Sequence, residues 1–173
     1  SSAASDVYKR QTVEESDAAA DDADTGRGVL PPLGTFDRTV PGFRVFDPCS
    51  EIPSEVLAEL GLEPNSEPER ESGYRSCHFD AVSASGEPAD VALVSQQHTL
   101  DAIRETYPDE FVDETSSADV VYTVEDTFIR NVSCTSYVET SRGLFSVSWT
   151  QLGIDMSMKE KCIESKKLMN SLI

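Results

Sequence analysis

Four cysteines, Cys49, Cys77, Cys134 and Cys162, constrain this chain more than any other feature of its sequence. They fall into two equal intervals, Cys49 to Cys77 and Cys134 to Cys162, each of 28 residues. None of them shows the CxxC spacing that opens the usual tetrahedral zinc framework, so no metal set is expected. An even number without metal spacing favours disulfides, and four cysteines allow three pairings. Each equal interval links a helix, or the approach to one, to a strand, which favours Cys49–Cys77 and Cys134–Cys162. On the loop-entropy account each bridge contributes about 3.5 kcal/mol, a large share of the roughly 5 to 15 kcal/mol that holds a domain together. Such bridges imply an oxidising, extracytoplasmic compartment. The plain alternative is four reduced, buried thiols in a cytosolic protein.

A chain of 173 residues, 38% of them hydrophobic, is long enough for one domain with a real core and too short for two. No apolar run approaches the roughly 18 residues that a spanning helix needs. With 14 Lys and Arg against 32 Asp and Glu, the net charge of −18 makes nucleic acid a poor partner, because phosphate contact rests on cations. The acidity sits at the front: Asp47 to Asp126 holds 20 acidic and 3 basic residues, whereas Thr127 to Ile173 holds 4 and 6. A solvated surface accounts for that asymmetry, and a cation-facing or basic-partner surface is the sharper reading.

The first eleven residues, SSAASDVYKRQ, read as the translation of a transposon-end sequencing adapter and are set aside from fold reasoning. The reading frame is then expected to begin inside the gene, with any signal peptide or lipid-attachment cysteine lying upstream. Residues 12–29 are Ala-, Asp- and Glu-rich and bury too little to offset the entropy of ordering, which predicts a disordered acidic tether. The single domain is expected over 30–173.

Within it, Pro31, Pro32, Gly34, Pro41 and Gly42 punctuate an extended lead-in whose Phe36, Val40, Phe43, Val45 and Phe46 can lie along a core. Pro53, Glu55, the stripe Val56, Leu57 and Leu60, and a capping Gly61 predict a short helix over about 53–60. Glu63 to Gly73, rich in Glu with two Pro, predicts an exposed loop. Cys77, Phe79 and Ala81 alternate with Arg75, His78 and Asp80, and a turn at Ser85 to Pro88 leads into Asp90 to Val94, a hairpin pattern. Thr99 can cap a helix over about 99–107 with Leu100, Ile103 and Tyr107 on one face. Val120 to Val124, Phe128 to Val138 and Leu144 to Thr150 read as strands, the last with Phe145, Val147 and Trp149 buried and Ser146, Ser148 and Thr150 wet. Ser157 with Glu160 makes a capping box for a C-terminal helix whose inward face carries Met158, Cys162, Met169 and Leu172. The sum is α+β: a twisted antiparallel sheet with a short N-terminal helix, a middle helix and a C-terminal amphipathic helix packed on it, stapled by two disulfides.

No HExxH, GxSxG, P-loop or GxGxxG occurs, so no catalytic residue and no cofactor are assigned. The bases available near neutral pH are His78 and His98. His78 follows Cys77 in a strand and should point to the opposite face, half exposed; His98 precedes a helix and reads as a solvated loop residue. Carboxylate pairs such as Glu69 with Glu71, Asp109 with Glu110 and Asp113 with Glu114 carry little information in so acidic a chain. Asp109 to Asp119 lacks the spacing and central glycine of an EF-hand loop. Asn131, Val132 and Ser133 fit a glycosylation acceptor but fall mid-strand.

The run Phe46, Asp47, Pro48, Cys49, a Pro-initiated helix ending Leu60, Gly61, then Cys77 two residues before an aromatic, resembles a family of actinobacterial cell-envelope lipoproteins known as a domain of unknown function. Cys134 in a strand and Cys162 in the last helix continue that resemblance over residues 40 to 173, with Phe79 standing where many members carry Trp. The resemblance implies attachment to the outer face of the cytoplasmic membrane by an acyl chain on an upstream cysteine, with residues 12–29 as the tether. It implies no catalytic residue. The leading expectation is therefore a non-enzymatic, lipid-anchored envelope domain that binds a partner protein or an apolar envelope molecule on the sheet or between sheet and helices. A pocket of a few hundred Å3 with apolar walls would favour the small molecule, and a flat apolar patch the protein. A secreted hydrolase would need two buried carboxylates facing each other across a cleft. An acidic cytosolic protein of a salt-adapted organism would carry free cysteines.

Overall fold

The structure is a computed structural model, and it describes residues 28–112, 120–126, 132–152 and 156–173. Strands β1 (Glu63–Pro64), β2 (Glu69–Glu71), β3 (Tyr74–Val82), β4 (Pro88–Gln96), β5 (Tyr122–Glu125), β6 (Ser133–Thr140) and β7 (Gly143–Thr150) form one antiparallel sheet in the order β1-β3-β4-β7-β6-β5, with β2 also on β3. Helices α1 (Pro48–Glu51), α2 (Ser54–Glu59), α3 (Leu100–Thr106) and α4 (Met158–Leu172) pack against it. The architecture is α+β.

Alternation along the strands builds the main core. Phe79, Val91, Leu93, Phe145, Val147, Trp149 and Val138 share one sheet face, and Leu57 and Leu62 at α2 cover one end of it while Leu168, Met169 and Leu172 of α4 cover the other. Polar atoms in this layer are paired where the helix meets the sheet. The Ser165 hydroxyl donates to the Val147 carbonyl at 2.9 Å and lies 2.8 Å from the Ser136 hydroxyl, itself 2.9 Å from Thr123 Oγ1.

The expected elements are present, with instructive differences. The helix at 53–60 runs over Ser54–Glu59 with Pro53 as its N-cap residue, and Gly61 takes the left-handed conformation (φ 73°) that ends it. Thr99 caps α3 as expected, accepting from the Ala102 N–H. The capping box of Ser157 and Glu160 is in place on α4. Glu63 to Gly73 is not a plain loop: its exposed residues add β1 and β2 to the outer edge of β3, where ladder hydrogen bonds outweigh a loop-like composition. Arg75 shares the parity of Cys77, not of His78 and Asp80. The second face of β7 is not simply wet. Leu100 and Ile103 of α3 and Tyr107 at its C-cap meet Tyr122, Val124, Tyr137 and Leu144 there, forming a smaller second core, and Ser146 is buried too. Of the strand expected from Phe128, the part over 128–131 lies outside the described residues, as does the candidate acceptor Asn131.

The lead-in is a wrapped arm. Leu33 bridges to Thr140, the Ser141 N–H donates to the Pro32 carbonyl, and the Phe36 and Phe43 rings stack at 5.6 Å before Val45 and Phe46 enter the core. The packed chain starts slightly ahead of Leu30: the Val29 N–H donates to the Leu172 carbonyl at 2.9 Å, and Val29 packs on the main core. On α4 the inward face includes Lys161 beside the expected apolar positions. Its stem is buried and its Nζ donates to the Gln151 carbonyl at 3.0 Å, which is what allows a cation there. Met158, expected inward, is half-buried at the helix start.

Candidate functional site

The structure joins Cys49 to Cys77 (Cα–Cα 5.6 Å) and Cys134 to Cys162 (Cα–Cα 5.0 Å), so no described cysteine is free. The first bridge fixes α1 to β3, and the second fixes α4 to β6. On the main-core face, α1 and α4 are thus each tied covalently to the sheet beneath them. The free-thiol reading of a cytosolic, salt-adapted protein loses its basis, and two disulfides fit an oxidising environment.

The Phe46, Asp47, Pro48, Cys49 run acquires a physical meaning. Asp47 is the N-cap of α1, its carboxylate accepting from the Cys49 N–H at 3.1 Å, and Pro48 supplies the pre-set first turn. Arg70 Nε donates to the same carboxylate at 2.9 Å. From the β6–β7 turn Arg142 makes a two-pronged pair with Glu51, its Nη2 at 2.8 Å from Oε1 and its Nη1 on Oε2, while its guanidinium lies over the Phe46 ring. The Arg142 hydrogen bonds hold the Glu51 carboxyl below its ordinary range against partial burial. For Asp47, burial pushes the carboxyl up, but hydrogen bonds from Arg70, Ser50 and the Cys49 N–H with the Arg70 charge outweigh it and hold it low. A carboxyl depressed in the folded state contributes stability that is present above the ordinary carboxylate range and lost as the pH falls through the depressed value. Melting temperature followed from about pH 7 to about pH 3 is therefore expected to fall less steeply for Glu51→Gln than for the wild type, from a lower start. Parallel curves would show that the pair adds nothing. This corner is structural: it places Cys49.

The histidines stay apart from any constellation. His78 is half-buried with Nδ1 3.2 Å from Asp90 Oδ1, and Asn65 Nδ2 bridges Asp80 and Asp90 at 3.0 Å each, relieving two like charges set opposite one another. His98 is exposed beside Gln96. Glu69 and Glu71 lie exposed on β2, and Asp113 and Glu114 lie outside the described residues. Among the described residues no Asp or Glu is buried and no three His, Cys, Asp or Glu gather as metal ligands, so the facing buried carboxylates that a hydrolase would need are not among them.

What the fold does make is a cleft on the main-core face, between α2, the β3–β4 hairpin and α4. It encloses about 210 Å3 between Leu60 at the end of α2, Ala81, Val82, Ser83 and Ala84 of the β3–β4 hairpin, and Leu168 on α4, with Glu164, Lys167 and Ser171 along the α4 rim and Trp149 at its floor. Alanines at the paired positions 81 and 89 leave room on the sheet beside the Trp149 ring, which a larger pair would fill. Val82, 67% exposed, extends the apolar wall to the surface. A larger hollow of about 380 Å3 is lined by residues 106–112 and Glu125, but nearly all its wall is one continuous segment carrying Asp109 and Glu110. The Trp149 cleft is walled by three separate elements, two of which, β3 and α4, carry a disulfide-bonded cysteine, and that makes it the better-formed site. The sequence showed Trp149 as an inward strand residue; that it meets Leu60 and Leu168 could not be read from pattern.

Fold and cleft together define a disulfide-stapled α+β domain with a small recess of mixed polar and apolar lining between α2 and α4, and no assembled catalytic group among its described residues. The family profile described as protein of unknown function (DUF3558) matches residues 4–173, and the chain belongs to that family. The match takes in part of the stretch that reads as adapter. No curated protein and no solved structure matches the chain. Among the described residues no helix is long and apolar enough to cross a membrane.

Proposed function

We propose that this domain is a non-catalytic binding module of the cell envelope, held on the outer face of the cytoplasmic membrane through its N-terminal side, and that it takes a small apolar molecule into the Trp149 cleft. The cleft carries the reading: its walls come from α2, the β3–β4 hairpin and α4, with the Cys134–Cys162 bridge pinning α4 and the Cys49–Cys77 bridge holding β3. A site whose walls are already ordered costs little entropy to fill. An apolar cavity of about 150 Å3 takes a benzene-sized molecule, so 210 Å3 admits one compact apolar group rather than a long chain. The paired cysteines support the extracytoplasmic setting, and the acidic chain argues against a phosphate-rich partner.

The chain contains a single Trp, which here lines the proposed site, so its emission reports on occupancy directly. Cyclohexane is expected to shift Trp149 emission in a saturable way. In Ser171→Phe, which plugs the mouth from the exposed face of α4, the shift should vanish while the melting temperature holds. Emission indifferent to a saturating concentration of the probe would sink this reading.

A further inference from the structure

Trp149 is only 4% exposed, and its indole Nε1–H has no hydrogen-bond partner among the described residues. An unpaired buried N–H is uncommon and costly, and its cost is recovered when an acceptor arrives. The same ring forms part of the cleft floor, against Ala81 and Leu168. Of the other cleft residues, Leu60, Ala81, Val82 and Leu168 are apolar, the Ser83 and Ser171 hydroxyls are already engaged, by Ser85 and the Glu87 N–H and by the Lys167 carbonyl, and Glu164 and Lys167 sit on the α4 rim with opposite charges. We infer that the molecule bound in the cleft is not a plain hydrocarbon but carries a neutral oxygen acceptor, a ketone, ester or amide carbonyl, which takes the hydrogen bond of the Trp149 indole. This rests on the cleft being the binding site, as proposed above, and adds the chemistry that selects among apolar molecules.

A neutral acceptor suits the site better than an ion. A carboxylate would enter against a net charge of −18 and would have to leave water to reach a buried indole nitrogen. A carbonyl loses less on leaving water and gains one bond in a place where water does not compete. Because the indole nitrogen is closed to solvent in the unliganded domain, the ligand reaches it by parting the Leu168 side chain or the hairpin turn. The turn's Val82 and Ala84 are exposed.

The test uses two probes of nearly the same shape, cyclohexanone and methylenecyclohexane, which differ in having oxygen or CH2 on the ring. A single tryptophan gives a single indole N–H signal in a nitrogen–proton correlation spectrum of the labelled full chain. Both probes should move the methyl signals of Ala81 and Leu168, and only the ketone should move the indole N–H signal downfield. In Trp149→Phe, affinity for the ketone should fall about tenfold more than affinity for the hydrocarbon, a difference that loss of packing alone does not produce. If both probes move the methyls and the ketone leaves the indole signal where it was, the cleft binds apolar molecules and the inference about the acceptor is overturned. If neither probe moves the methyls, the cleft is not the site, and the inference falls with it. Should Trp149→Phe fail to fold, the wild-type indole signal decides the question unaided.

Discussion

A Cys134→Ser variant is expected to lose about 3.5 kcal/mol of stability, the cost of releasing a loop of this length in the unfolded chain. Denaturant unfolding followed by circular dichroism without reductant is the measurement. Both sulfurs are fully buried, so the variant also leaves Cys162 as an unpaired thiol under α4 and places a hydroxyl where the Cys134 sulfur lay against the Val124 carbonyl. The loss should therefore exceed the entropic figure somewhat, and it should appear first as weakened docking of α4, with earlier exchange of the Cys162 and Ser165 amides than of those in β3 and β4. A stability equal to that of the wild type would mean that burial alone holds α4 in place.

The second large effect is expected from Phe145→Ala, at about 4 kcal/mol, from lost transfer energy together with the cavity left behind. Phe145 is fully buried at the middle of the sheet and packs edge-on against Phe46 with ring centres 6.0 Å apart. Phe46 in turn lies beneath the Arg142 guanidinium. Truncation thus reaches the corner that positions Cys49, and the variant's pH dependence on the acid side should flatten along with its midpoint. A loss under about 1.5 kcal/mol would mean that the arm around Phe46 collapses into the space.

Much of the fold could be read from local pattern because the responsible forces are local. Thr99, Gly61 and the pair Ser157 and Glu160 act within one turn of the helices they bound, and each appears where the sequence places it. The odd-numbered residues from Phe145 to Trp149 declare a buried face by alternation alone. The pattern fails where a distant partner decides. Helix α1 spans a single turn, too short for periodicity, and is held by Cys77, by Arg70 and by Arg142, the last 91 residues from its partner Glu51. Asp47 followed by Pro48 was nonetheless an available start signal. Lys161 reads as solvent-facing until the Gln151 carbonyl is known to receive it. Glu69 and Glu71 read as loop because an edge strand needs only a partner, not a composition. Of the candidate site, the four cysteines and Trp149 were visible individually. The recess among Leu60, Ala81, Trp149 and Leu168 depends on how two helices lie across one sheet, and no short-range signal reports that.

The two bridges do not cross or enclose one another: each joins cysteines that are consecutive in the chain, Cys49 with Cys77 and Cys134 with Cys162. For a polypeptide delivered amino end first into an oxidising space, Cys49 meets Cys77 before Cys134 or Cys162 has emerged. The same holds for the second pair once the first is closed. Correct oxidation of these four thiols in such a space then follows from the order of emergence, and a simple thiol oxidant suffices without a disulfide isomerase to undo mispairing.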